Sequence, residues 1–135
     1  MKSRDTLVRL KRFQAEEKRR RIVQLNAIIA EFTRMSNELE REIATEEQRA
    51  NISDPNHFAY PTYARAARTR RENIIASLND LRGQLADAEA QFKEASDDLA
   101  KAQSQEARDR GAERLIDVVA ERRQVEMPLA YRRGA

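Results

Sequence analysis

The sequence contains no cysteine and no tryptophan, and His57 is its only histidine among 135 residues. Without cysteine the chain has no disulfide and no thiol nucleophile, which suits a protein of the cytosol. One histidine alone provides neither a Cys/His pair nor a histidine-based metal site, and its place beside Pro55 is typical of a turn residue. No glycine-rich phosphate-binding motif occurs. We therefore predict a protein that is not an enzyme and that needs no cofactor and no metal.

Aromatic residues, glycine and proline are also scarce. Aromatics make up 5% of the chain, with three glycines and three prolines, whereas charged residues reach 36%. Such a composition cannot fill a thick core, but it can fill a thin seam between helices, and most of its residues are strong helix formers. No stretch approaches the roughly 18 apolar residues of a membrane span. We predict no membrane span, and no secretory signal, because no apolar run follows Met1.

Two heptad patterns predict two helices. A helix over about 3–51 carries the first, and a helix over about 62–126 carries the second, in which apolar positions alternate in steps of three and four. The first pattern runs through Ile22, Leu25, Ile29, Phe32, Ser36, Leu39 and Ile43. The second runs through Ala67, Arg71, Ile74, Leu78, Leu81, Leu85, Ala88, Phe92, Ala95, Leu99 and Ala102. So narrow an apolar stripe is typical of a coiled-coil seam.

Pro55 and Pro61 interrupt helical structure, which predicts a loop over about 52–61. Two long helices joined by a short loop run antiparallel. We therefore predict an all-α fold in one domain over 1–135: an antiparallel two-helix coiled-coil hairpin with a C-terminal overhang. The overhang, residues 111–135, extends past the start of the first helix. The alternative is a frayed tail that folds back on that helix.

The register follows from the apolar layers and from charge. If the numbers of facing residues add to 110, Ile22 faces Ala88 and Phe32 faces Leu78. A slip of one heptad, to a sum of 117, preserves the layers and stays open. At 110, opposite charges lie beside each other in two places. Glu38, Glu40, Glu42, Glu46 and Glu47 lie beside Arg65, Arg68, Arg70 and Arg71, and Arg9, Lys11, Arg12 and Lys18 to Arg21 lie beside Glu94, Asp97 and Asp98.

Three surfaces are candidates for partner binding. The basic cluster Arg19, Arg20 and Arg21 fits a solvated face or a partner-binding patch. It fits nucleic acid poorly, since no groove-reading motif accompanies it. The aromatic residues Phe58 and Tyr60 fit either a staple that closes the loop or an exposed anchor for a partner. In the overhang, Leu115 and Val119 belong to an apolar set that has no intramolecular partner, which is typical of an interface.

Three segments resemble alphaproteobacterial members of the FliJ family of flagellar export proteins. They are the opening Met-Lys-Ser-Arg-Asp-Thr-Leu-Val-Arg-Leu-Lys-Arg-Phe-Gln, the stretch from Ile52 to Ala67, and Asp80-Leu-Arg-Gly-Gln-Leu. The resemblance covers roughly residues 1–105, and the middle segment is its most specific part. It implies an antiparallel two-helix coiled coil similar to the central stalk of rotary ATPases.

The resemblance also implies a role and a location. FliJ-type proteins belong to the cytoplasmic ATPase complex of the flagellar type III export apparatus, at the flagellar base on the inner membrane. The implied partners are the export ATPase ring, the export gate membrane protein and the export chaperones, with no nucleic acid. We expect a non-enzymatic stalk or adaptor that couples the ring to the gate and the chaperones in flagellum biogenesis and motility. The alternatives are an escort for chaperones or cargo without ATPase contact, and a generic coiled-coil scaffold.

Overall fold

The computed structural model describes the backbone of residues 2–134 and the side chains of residues 3–125. Two helices account for nearly all of it: α1 over Lys2–Ala50 and α2 over Thr62–Gly134. The described residues include no β-strand. The helices pack against each other as an antiparallel pair, so the predicted all-α hairpin is confirmed.

The helix bounds agree with the prediction except at one end. α1 ends at Ala50 and α2 begins at Thr62, each within one residue of the expected position. The prediction that the second helix ends near residue 126 is wrong, because α2 continues to Gly134. The helix thus passes through Pro128, a residue type that usually interrupts a helix because it lacks the backbone donor.

The loop between the helices is closed by hydrogen bonds. Asn51 adopts a left-handed conformation with φ of 55°. Its N–H donates to the Gln48 carbonyl, and the Ile52 N–H donates to the Glu47 carbonyl, each at a distance of 3.2 Å. This pair of bonds ends α1 in a Schellman motif, where asparagine substitutes for the usual glycine. At the other end the Pro61 carbonyl accepts the first helical bond of α2, from Arg65 N–H at 3.0 Å.

Residues 17–92 form one compact unit around a seam. Five buried residues make its core, with Ile29, Phe32 and Met35 packed against them: Leu39, Ile43, Ala67, Ile74 and Leu78. Leu25 is the most buried large side chain, at 1% exposure. All of these lie on the predicted heptad frame except Met35, so the seam is confirmed. Ser36, which also lies on the frame, is a buried polar residue within it.

Cross-helix side-chain bonds in this unit agree with the register that sums to 110. The residue numbers add to 109 for Lys18 with Gln91 and to 111 for Arg71 with Glu40. The widest departures lie at 105, for Arg21 with Gln84 and Tyr63 with Glu42, and at 115, for Arg68 with Glu47. Long side chains reach obliquely across a seam, which explains the scatter. Arg68 with Glu47 lies closer to a sum of 117, but the other four pairs lie closer to 110.

One of the two predicted charge pairings holds. Arg71 pairs with Glu40 at 3.5 Å and Arg68 with Glu47 at 3.6 Å, as expected. The pairing of Lys18 to Arg21 with Glu94, Asp97 and Asp98 does not match the bonds that form. Lys18 and Arg21 donate to Gln91 and Gln84 instead. For Lys18 the register explains the difference, because Gln91 lies next to the facing position 92. Asp97 pairs with Lys93 on its own helix.

Residues 1–16 and 93–135 form the second unit. Its seam is thin, with only small or medium side chains buried: Val8, Ala15 and Ala102. Ion pairs supplement it. Arg4 contacts Asp109 at 3.4 Å and Glu113 at 2.7 Å, and Arg110 contacts Asp5 at 3.3 Å. Because exposed pairs contribute at most about 1 kcal/mol each, they serve mainly to fix the pairing of the helices.

The overhang begins at Arg114. Among the residues with described side chains, Glu113 is the last residue of α2 with a bond to α1, and every side chain from Arg114 to Val125 is exposed. Over this range the segment is a helical continuation of α2 and does not fold back on α1. The alternative of a folded-back tail is therefore wrong for residues 114–125. No helix in the described part of the chain is long and apolar enough to span a membrane.

Candidate interaction surfaces

The basic cluster is largely occupied by contacts within its own unit. Arg20 pairs with Glu17 at 3.0 Å, Arg21 donates to Gln84 at 3.1 Å, and Arg19 also has a partner within the chain. The neighbouring Lys18 donates to Gln91. These contacts favour the solvated face over the partner-binding patch, since a partner would first have to displace them.

Tyr60 is a staple at the start of α2. Its side chain is 4% exposed, and its hydroxyl accepts a hydrogen bond from Arg68 Nε at 2.9 Å. The guanidinium groups of Arg65 and Arg68 lie 5.4 and 5.9 Å from the ring centre, within range of cation–π attraction. The hydrogen bond to Tyr60 is the main cause of a raised pKa for Arg68. Tyr60 therefore belongs to the hairpin and is not an exposed anchor.

Phe58, two residues away, is 96% exposed. Its ring stacks on His57 with centroids 4.8 Å apart and an interplanar angle of 21°. His57 is itself held, because its Nδ1 accepts the Ala59 N–H at 3.0 Å and its own N–H donates to the Asp54 carbonyl at 3.1 Å. A turn fixed by these bonds thus presents a large apolar ring to solvent. Of the two predicted aromatic residues, only Phe58 has the exposure that an anchor requires.

Tyr63, a third aromatic residue near the loop, makes a different contact from Tyr60 and Phe58. Its ring is half exposed, and its hydroxyl donates to Glu42 Oε2 at 2.7 Å across the seam. That hydrogen bond to a carboxylate is the main cause of a raised pKa for Tyr63. Tyr63 therefore joins α2 to α1 at the surface, whereas the side-chain contacts of Tyr60 are with Arg65 and Arg68 of α2.

The overhang exposes five large apolar side chains within eleven residues: Leu115, Ile116, Val118, Val119 and Val125. Leu115 and Val125 are the most accessible, at 67% and 68%. Leu115 and Val119, both predicted as site residues, line one shallow depression of about 500 Å³ together with Ile116, Ala120 and Arg123. Val118 and Val125 line a second one with Glu121 and Arg122. The predicted pattern of apolar residues with charged neighbours is present on both sides of the helix.

A further apolar set was missed by the sequence reasoning. Leu7, Leu10 and Phe13 are exposed on α1, and Phe13 reaches 60%. They lie off the heptad frame, which passes through Val8, Lys11 and Ala15 instead. The available signal was the coincidence of three off-frame apolar residues with the basic N-terminal segment, where residues 1–30 carry a net charge of +6.

Several charged side chains of the described residues form ion pairs with each other. No group of three or more His, Cys, Asp or Glu side chains within that part of the chain could hold a metal ion. Glu31 and Glu38 both contact Arg34, and the hydrogen bond with Arg34 holds the pKa of Glu31 below its usual value. The described side chains instead form surfaces on which another molecule could dock. They are an exposed phenylalanine in a fixed turn, and exposed apolar residues on both helices of the second unit.

Comparison with protein-family models, with curated proteins and with solved structures finds no match to this chain.

Proposed function

We propose that this chain is a non-enzymatic stalk or adaptor of the cytoplasmic ATPase complex of the flagellar type III export apparatus. The observation that carries the proposal is the unpaired extension of α2. From Arg114 onward the described side chains are exposed, and five of them are large and apolar. A helix that leaves its coiled-coil partner with such residues uncovered is suited to contact a second protein.

The fold supports the same role. An adaptor needs a stiff element with separate contact points and no interior chemistry, and a two-helix coiled coil meets that need. The segments that resemble the FliJ family supply the identity of the proposed partners: the export ATPase ring at the overhang, with the export gate membrane protein and export chaperones elsewhere. The chain would act by biasing the ATPase subunits, while the energy comes from the ATP that the partner hydrolyses.

Phe58 favours a second contact point, which fits the alternative function of a chaperone or cargo escort. Its ring is almost fully exposed in a turn held by several hydrogen bonds. Such pre-organisation lowers the entropy cost of inserting the ring into a partner's pocket. An escort would use this contact without any contact to the ATPase.

A rate measurement tests the proposal. The purified full chain is added to the purified export ATPase, and ATP hydrolysis is followed over a range of chain concentrations. The proposal predicts saturable stimulation. An unchanged rate together with binding to an export chaperone would replace the stalk by the escort.

A further inference from the structure

The exposed residues Leu7, Leu10 and Phe13 form what we call the N-terminal apolar face of α1. Val8, between them in sequence, is buried in the seam with Ala15. At about 100° per residue, Leu10 and Phe13 lie roughly 160° and 140° around the helix from Val8. The face therefore points away from α2, and packing of the hairpin does not account for its apolar character.

Cations border this face on both sides. By the same helical geometry, Arg9 lies about 40° beyond Phe13 and Lys11 about 40° beyond Leu7, whereas Arg12 lies about 40° from Val8, at the edge of the seam. None of the three has an ion-pair partner among the described residues, in contrast to Arg4 and Arg20. Long cationic side chains at the edges of an apolar stripe can extend toward a charged surface while their stems lie on apolar material.

Two acidic side chains near this face on α1 are already paired with cations, which reduces their repulsion of an anionic partner. Asp5 pairs with Arg110, and Glu17 pairs with Arg20. The local charge is positive as well, with nine Lys/Arg against three Asp/Glu in residues 1–30. The partner that fits is therefore both anionic and apolar. It is an extended surface, since Leu10 and Phe13 lie on the convex outer side of α1, although Leu7 also lines a shallow depression with Lys11 and Ala102.

We propose that the N-terminal apolar face binds the surface of an anionic lipid bilayer, with Leu10 and Phe13 in the headgroup boundary and Arg9 and Lys11 on lipid phosphates. Interfacial helices combine these features: an apolar stripe, cationic borders and no spanning segment. The hairpin stays folded, because the seam residues face the other way. The proposal goes beyond the adaptor function, since it requires neither the overhang nor an ATPase.

The chain has no native tryptophan, so the fluorescence of a single introduced tryptophan reports directly on its surroundings. The full chain carrying Phe13→Trp is mixed with vesicles of phosphatidylcholine and phosphatidylglycerol at about 70:30, and with vesicles of pure phosphatidylcholine. We expect its emission to move to shorter wavelength with the anionic vesicles and to stay unchanged with the neutral ones. Added salt should reverse the change, because it screens the lipid charge.

Two variants separate the two contributions. Arg9→Gln and Lys11→Gln together should weaken vesicle affinity more than tenfold, since each cation near an anionic surface contributes about fivefold. Leu10→Ser in the Phe13→Trp chain should weaken it several-fold while circular dichroism shows full helicity. The matched control is Val23→Trp, another exposed apolar position of α1, which should report no change.

An unchanged Phe13→Trp emission with anionic vesicles would overturn the proposal and assign the face to an acidic protein. Equal shifts for Trp at positions 13 and 23, or equal shifts with neutral vesicles, would also overturn it. None of these outcomes bears on stimulation of the ATPase, which is measured without lipid.

Discussion

Tyr60 and Phe58 illustrate how the same residue class takes opposite roles two positions apart. The side chains of Arg65 and Arg68 cover Tyr60, whereas the Phe58 ring stacks on the ring of His57. The sequence left both interpretations open for both residues. It could not separate them, because the exposure of each ring depends on contacts that the sequence does not reveal. These are the hydrogen bonds of Asp54 and His57 in the turn, and the hydrogen bond of Arg68 in α2 to Tyr60.

This difference predicts separate effects on stability and on binding. Tyr60→Phe removes the hydroxyl that accepts from Arg68, and should lower the free energy of unfolding by about 1 kcal/mol. The corresponding fall in melting temperature is roughly 3 °C for a chain of this size. Phe58→Ala should leave the melting temperature unchanged, because the ring is almost fully exposed. Thermal unfolding followed by circular dichroism measures both.

Phe58→Ala should also weaken binding of a tip partner, such as an export chaperone, while Tyr60→Phe leaves it unchanged. The converse result, in which Phe58→Ala destabilises the hairpin as much as Tyr60→Phe does, would show that the ring packs on the helices.

At the scale of the helices, the heptad pattern predicted the seam well because burial in a two-helix coiled coil follows the 3.5-residue repeat directly. Leu25, Leu39 and Ile74 are buried where the frame places them. The pattern could not choose between registers one heptad apart, since both preserve the layers. The cross-helix bonds of Lys18, Arg71 and Arg21 make that choice, and they depend on side-chain reach rather than on periodicity.

A pair of cysteines tests the register. Ile43 and Ala67 are both buried in the core of residues 17–92, and their numbers add to 110. Ile43→Cys with Ala67→Cys should form an intramolecular disulfide under mild oxidation, because small residues there let the helices approach closely and a disulfide needs Cα atoms roughly 4.4–6.8 Å apart. Reducing and non-reducing electrophoresis in dilute solution reads the result.

The matched control is Ile43→Cys with Ile74→Cys, whose numbers add to 117. It should crosslink poorly within one chain. Preferential closure of this second pair would place the helices one heptad away from the structure described above.

At the scale of the whole chain, exposed apolar residues are unevenly distributed. Among the residues whose side chains the structure describes, twelve large apolar side chains are exposed. Eight of them belong to the unit of residues 1–16 and 93–135, although that unit contains fewer buried ones than the unit of residues 17–92. The sequence predicted those of the overhang, because helix two outlasts helix one. It did not single out Leu7, Leu10 and Phe13, whose exposure follows from which face of α1 the seam occupies.

Under the proposed function, the uneven distribution favours partner contacts in this unit, whose overhang carries five of these exposed side chains. Truncation after Arg114 removes the overhang except Arg114 itself and preserves the bond between Arg4 and Glu113. Folding should therefore change little, with a melting temperature close to that of the full chain. A full-length control with Leu115→Ser and Val119→Ser removes two apolar side chains and leaves the helix in place.

The measurement that tests the adaptor function most directly is binding of the truncated chain to the purified export ATPase, by titration calorimetry beside the full chain. The account predicts a folded truncated protein that no longer binds, and a Leu115→Ser, Val119→Ser protein with affinity reduced by about tenfold or more, since each buried apolar side chain contributes roughly 1.5–3 kcal/mol. A folded truncated chain that binds the ATPase as tightly as the full chain would contradict it.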